Sequence, residues 1–219
     1  MTKYYQKEIE HLKKKVLHLT AVVEEALQVA VTAVAERDEE LAQQVIDGDQ
    51  RIDLMEVEIE EDCLKILALY QPVAIDLRFI VSALKINNDL ERIGDLAVNI
   101  AERAFILAVS IEDDVPFDLN AMLDRVLAMV KSSADALVNM DVETANQVCC
   151  SDDFVDDMNR EARQAVIDRV KQHPERANEY LALSGIARNL ERIADHATNI
   201  AEDVIYMVDG EIVRHRGGA

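Results

Sequence analysis

Along most of this chain apolar residues recur every third or fourth position. Leu12, Val16, Leu19, Val23, Ala26, Ala30 and Val34 form one such stripe, and Ile52, Ile59, Cys63, Ile66 and then Ala74 onward continue it in pieces. That spacing places the apolar side chains on one face of an α-helix. The pattern is interrupted at Gln71-Pro72, over 110–116 and at His173-Pro174. It breaks more weakly at Arg37-Asp38 and Met140-Asp141, where a short polar turn leads into a helix. Six helices are therefore predicted, at about 4–36, 39–70, 73–109, 117–139, 142–172 and 175–208. Pro72 and Pro174 fall at or next to the start of the third helix of each half, where a missing N–H costs little.

The polar positions repeat as well. Residues 90–102 read LERIGDLAVNIAE and residues 190–202 read LERIADHATNIAE, ten identities in thirteen positions at an offset of 100. The second helix of each half aligns at an offset of 103, through Ala42/Ala145, Val45/Val148, Asp49/Asp152, Asp53/Asp156, Met55/Met158 and Glu58/Glu161. A change of three in the offset is what a loop indel in a duplicated three-helix unit produces. The predicted fold is all-α, two tandem three-helix bundles related by internal duplication. Residues 1–112 form the first, 113–219 the second, 110–116 the linker and 214–219 a frayed tail.

Composition narrows the function. The 219 residues carry a net charge of −20, which argues against nucleic acid or an anionic membrane as the main ligand and favours cations or basic protein surfaces. Aromatic residues are only 4% and tryptophan is absent, so aliphatic side chains do the packing. The three cysteines, two of them adjacent, offer no disulfide framework. Residues 1–15 are polar, and no uninterrupted apolar run approaches the roughly 18–20 residues of a membrane span. A cytoplasmic protein without direct membrane insertion is expected.

The repeated carboxylates carry the candidate chemistry. With Glu91 at zero and roughly 100° per residue, Asp95 falls near 40° and Glu102 near 20°, while Leu90, Ile93, Ala97 and Ala101 lie on the opposite side. Glu191, Asp195 and Glu202 repeat the ridge, and the second helix carries its own at Asp49, Asp53, Glu56 and Glu60. In an antiparallel unit these ridges face each other, Asp49 and Asp53 opposite Glu91 and Asp95, then Asp152 and Asp156 opposite Glu191 and Asp195. Like charges so close repel, and a cation relieves the cost. All-oxygen ligands suit Mg²⁺, Mn²⁺, Ca²⁺ or iron. His196 sits off the ridge and is not counted as a ligand. The competing reading is a solvated face paired with Arg92 and Arg192. Asn159 and Arg163 stand where the first half has Glu56 and Glu60, so the first site is expected to be richer in negative charge.

No phosphate-binding glycine loop, nucleophile elbow or Cys-x-x-Cys is present, and an enzyme reading has little to rest on. The doubled motif, together with QPVAIDLR at 71–78, resembles the PhoU family over nearly the whole chain. The resemblance implies metal sites at D/E-xxx-D pairs, here Asp49/Asp53 with Glu91/Asp95 and Asp152/Asp156 with Glu191/Asp195. It also implies a non-enzymatic, often homodimeric regulator of phosphate uptake and of the phosphate-starvation response. Such a regulator acts between the ATPase subunit of a phosphate ABC transporter and a sensor histidine kinase. The alternative from another class is a carboxylate-bridged metal-binding or metal-storing protein, as in a metal-dependent oxidase.

Overall fold

The computed structural model describes residues 3–108 and 115–210. Most of the expected linker and all of the expected tail lie outside them. The described residues form α1 (Lys3–Glu36), α2 (Glu39–Tyr70), α3 (Ile75–Ala108), α4 (Leu119–Asn139), α5 (Val142–Gln172) and α6 (Ala177–Asp209). A single 3-10 turn, Pro174–Arg176, precedes α6.

The turn between the first two helices is the same in both halves. Arg37 and Met140 each take a left-handed conformation, at φ 57° and 54°, and so end α1 and α4. The next residue, Asp38 or Asp141, donates its N–H to Ala33 O or Ala136 O, at 2.9 Å in both. Its carboxylate then caps the following helix: Asp38 accepts from the backbone N–H groups of Glu40 and Leu41, and Asp141 from those of Glu143 and Thr144. Thr144 Oγ1 adds a donor to Asp141 at 2.7 Å.

The turn before α3 departs from expectation. Gln71 and Ala74 both have positive φ, 47° and 53°, so α3 starts at Ile75 rather than 73, and Ala74 is exposed in the turn instead of continuing the apolar stripe. Pro72 ends one helix but does not begin the next. Pro174 does open a helical turn, the 3-10 segment.

Each half is a three-helix unit, α1–α2–α3 or α4–α5–α6, and the two are joined chiefly along α3 and α6, with α1 against α4 beside them. One apolar core runs through both, from Leu12 and Leu27 on α1 through Ile86 and Ile100 on α3 to Ile186 and Ile200 on α6. By composition α1 contains an 18-residue window of mean hydropathy 1.4, long enough to cross a membrane. Here it is a core helix, with Leu12, Val16, Leu19, Val23 and Leu27 buried and its sides on α2, α3 and α4.

Exchanging the halves relates the two ends of the α3–α6 seam. Lys85 Nζ pairs with the buried Asp203 at 3.0 Å. The equivalent positions are Gly185 and Arg103, and the Arg103 guanidinium carbon lies 3.1 Å from where a Gly185 Cβ would stand. Asp89 and His196 meet at 2.8 Å across the seam, while their counterparts, Asn189 and Leu96, are both buried. Arg78 Nε donates to Met207 O at 2.8 Å and Ser82 Oγ to Asp203 O at 3.3 Å. The seam thus has a pseudo-two-fold arrangement whose apolar half is shared and whose polar ties differ.

Candidate functional site

The acidic ridges meet where the second and third helices of each unit pack. In the first unit, Gly94 permits the approach: a Cβ there would stand 3.1 Å from Ile52 Cδ1 and Cγ2 and 3.7 Å from Asp49 Oδ1. This draws Asp49 to the seam beside Asp95. Partial burial, then the charges of Asp53 and Asp95, hold the Asp49 carboxyl above its ordinary pKa. Burial also raises Glu91, with Asp95, Asp53 and Glu56 adding and Arg92 opposing. Glu56 is raised by burial, Glu60 and Asp53. Asp49, Asp53, Glu91 and Asp95, expected to face one another, are therefore within electrostatic reach across α2 and α3.

The first ridge is unevenly solvated, with Asp53 and Glu60 exposed and Asp49, Glu91 and Asp95 partly covered. Glu91 is largely sunk in the seam, with 22% of its side chain exposed. Its Oε2 accepts no hydrogen bond and has Arg92 Nε at 3.4 Å as its counter-charge. Arg92 Nη1 also donates to Asp95 Oδ2 at 3.0 Å. Asp89, also three residues from Arg92, turns instead to His196.

The second unit repeats the arrangement. Burial, then Asp195 and Asp156, lift Asp152 from 3.8 to about 6, with the polar Thr198 hydroxyl opposing. Glu191 is raised by burial, then by Asp195, Asp156 and Asp152, against Arg188. Asp195 is raised by burial and Asp156, and lowered by His196 and Arg192. In both units desolvation and like-charge repulsion act together to disfavour the ionised carboxylates.

The donor set is oxygen throughout and fits a hard cation in kind. Among the described residues no three His, Cys, Asp or Glu side chains converge closely enough to form an ion's ligand shell. Side-chain rotation would be needed to bring the opposed carboxylates onto one ion. Glu91, with a buried oxygen that accepts no hydrogen bond, is the member best placed for it.

Two residues outside the expected set shape the first site. Asn87, buried on α3, donates through Nδ2 to Glu56 O at 2.8 Å and Glu56 Oε1 at 3.0 Å. It therefore locks α2 to α3 and orients one ridge carboxylate; its counterpart in the second unit is Ala187. A buried asparagine inside an apolar stripe was the available signal. His196 stays off the ridge, and its role is at the seam, on Asp89.

Comparison with known proteins agrees with the architecture. The chain is 42% identical over 210 residues to a phosphate-specific transport system accessory protein PhoU homologue of Aquifex aeolicus, covering 96% of this chain and 95% of that protein. A Thermotoga maritima protein, PhoU homologue 1 of the same description, is 36% identical over 95% of this chain and 90% of its own length. The crystal structure of PhoU from Pseudomonas aeruginosa matches with a TM-score of 0.89 at 37% identity, over 94% of this chain and all of that one. The PhoU domain matches twice, over residues 16–104 and 119–204, the two halves of the duplication. The chain belongs to the PhoU family.

Proposed function

We propose that this protein is a regulator of phosphate uptake and of the phosphate-starvation response that works by binding other proteins and not by catalysis. The observation that carries this reading is the 42% identity, over 96% of the chain, to a phosphate-specific transport system accessory protein. A Streptococcus pneumoniae relative of known structure, described as a phosphate transport system regulatory protein, supports it at a TM-score of 0.88 and 28% identity. The partners are the ATPase subunit of a phosphate ABC transporter and a phosphate-responsive sensor histidine kinase. The setting is the cytoplasm, and the protein acts as a homodimer. A net charge of −20 suits basic partner surfaces, and exposed Leu54, Val57 and Leu64 on α2 offer apolar contact.

Hard divalent or trivalent cations belong to this reading. Bound by Asp49, Asp53, Glu91 and Asp95, or by Asp152, Asp156, Glu191 and Asp195, a cation would neutralise the ridge. These residues would then fix the second helix of each unit against the third and set the shape of the acidic face. The raised carboxyls on both ridges favour a counter-ion there.

The test is a strain lacking the gene, grown in ample phosphate, with alkaline phosphatase or another starvation-induced output as the readout. High output, reversed by the intact gene, is expected; silent output would remove the signalling role. Oxygen consumption by the Fe²⁺-loaded protein would instead favour a metal-dependent oxidase, and none is expected.

A further inference from the structure

The α5–α6 face of the second unit holds a feature that its first-unit counterpart lacks. An open cavity of about 600 Å³ lies there, lined by Arg163, Arg188, Arg192, Ser184 and Asn159, together with Glu191 and Asp195. The corresponding first-unit residues are Glu60, Asn88, Arg92, Leu84 and Glu56. Two carboxylates have given way to an amide and a guanidinium, and a leucine to a hydroxyl.

The arginines are not spent on ion pairs. Among the described residues none of the three guanidinium groups has a carboxylate within 4.0 Å, whereas Arg92 in the first unit pairs with Glu91 and Asp95. Arg188 and Arg192 stand at i and i+4 on one helix, a spacing at which like charges repel, and Arg163 brings a third from α5. Numbering runs in opposite directions on the two helices, so Arg163 and Ser184 lie toward one end of the cavity and Asp195 toward the other. Glu191 and Asp195 balance part of the positive charge without contacting it. Guanidinium forks, a hydroxyl and an amide converging on one open space form a donor set suited to an oxyanion. Three forks exceed what a planar carboxylate accepts and match the several oxygens of a tetrahedral anion.

We propose that this cavity binds a tetrahedral oxyanion of the phosphate class, through Arg163, Arg188 and Arg192 with Ser184 and Asn159. The site does not depend on the regulatory reading above, because it stands on the arginines and their lack of partners. It divides the two units by charge, a cation-seeking ridge in the first and an anion-seeking cavity beside the ridge in the second. The oxyanion is either the free inorganic ion or a phosphoryl group on a larger molecule.

The test is calorimetric titration of the full chain with sodium phosphate at fixed ionic strength, then with sodium sulfate and with adenosine monophosphate. Saturable binding of phosphate with one site per chain is expected. Arg163→Ala and Arg188→Ala are each expected to weaken it by roughly tenfold or more, the loss of a charge-assisted contact. All three arginines are exposed, so truncation leaves the core intact. Arg160→Ala removes the same charge from the same helix outside the cavity and is expected to leave binding unchanged. Binding of the nucleotide as well as the free ion would identify a site for phosphoryl groups on larger molecules, and binding of the free ion alone a site for inorganic phosphate. No saturable binding of any of the three, or equal weakening by Arg160→Ala, would overturn the proposal. Because the assay uses purified protein, its failure is distinguishable from a failure of the cellular test.

Discussion

The two ridge pairs sit on the same scaffold and differ in what that scaffold presents. In the first unit, Arg92 lies on Glu91 and Asp95, Asn87 holds Glu56, and Glu60 extends the acidic surface. In the second, Asn159 and Arg163 replace Glu56 and Glu60, Ala187 replaces Asn87, and Arg192 acts on Asp195 through space without a close ion pair. The packing beneath changes far less. Gly94 faces Ile52 in the first unit, and the equivalent pair in the second is Ala194 and Val155, so one methyl group has in effect moved across the interface. Close packing constrains total volume between two helices more tightly than it constrains which helix supplies it. Polar positions at the rim carry no such constraint. The duplicated halves therefore share the frame and differ in the charge of the rim.

The largest expected effect comes from breaking the packing half of that comparison. Gly94→Leu forces a side chain into space held by Ile52 and should cost about 3 kcal/mol in urea unfolding. Gly94→Ala combined with Ile52→Val copies the second unit and should retain near-parental stability. A large loss in the double variant would show that the two interfaces are not equivalent.

The next effect sharpens the electrostatic half. Asp152 has a folded-state pKa of about 6, against 3.8 for the free side chain. The folded chain therefore holds that proton more tightly, and stability falls as pH rises through the window between those values. In chelator, the melting temperature should drop by ~2–4 °C across it, the equivalent of about 1 kcal/mol once solvent screening is allowed for. Asp152→Asn should flatten the profile, and a melting temperature that climbs through the window would contradict the assignment.

The smallest effect tests the shared turn. Asp38→Ala should cost about 0.5–1 kcal/mol through loss of its cap on α2. Asp141→Ala should cost more, since Thr144 Oγ1 also loses its acceptor. Thermal unfolding of the two variants side by side checks the order.

The helices and the opposed ridges were legible because both leave a periodic trace, and the duplication wrote each trace twice. Asp49 and Asp95 are found from spacing alone once α2 and α3 are known to be antiparallel neighbours. The sharing of one core by the two units left no such trace. An apolar stripe states that a face is covered but not by what, and α3 uses its faces on α1, α2 and α6 together. The start of α3 was misplaced because the left-handed Ala74 carries no residue-type signal, alanine being an unusual occupant of that conformation. Arg163 was visible in sequence only as a weakening of the second acidic ridge. Its convergence with Arg188 and Ser184 depends on how α5 and α6 align, which spacing within either helix does not state.

The claim that the first ridge is the stronger cation site is tested most directly by melting curves over a Mn²⁺ titration. The measurement compares the parent chain, Glu91→Ala/Asp95→Ala and Glu191→Ala/Asp195→Ala, reading the cation-dependent rise within each chain. Truncation can itself relieve repulsion and raise the starting temperature, and that comparison removes the offset. The first double variant should lose most of the rise and the second should keep most of it. Equal rises in all three chains, or a loss confined to the second variant, would contradict it.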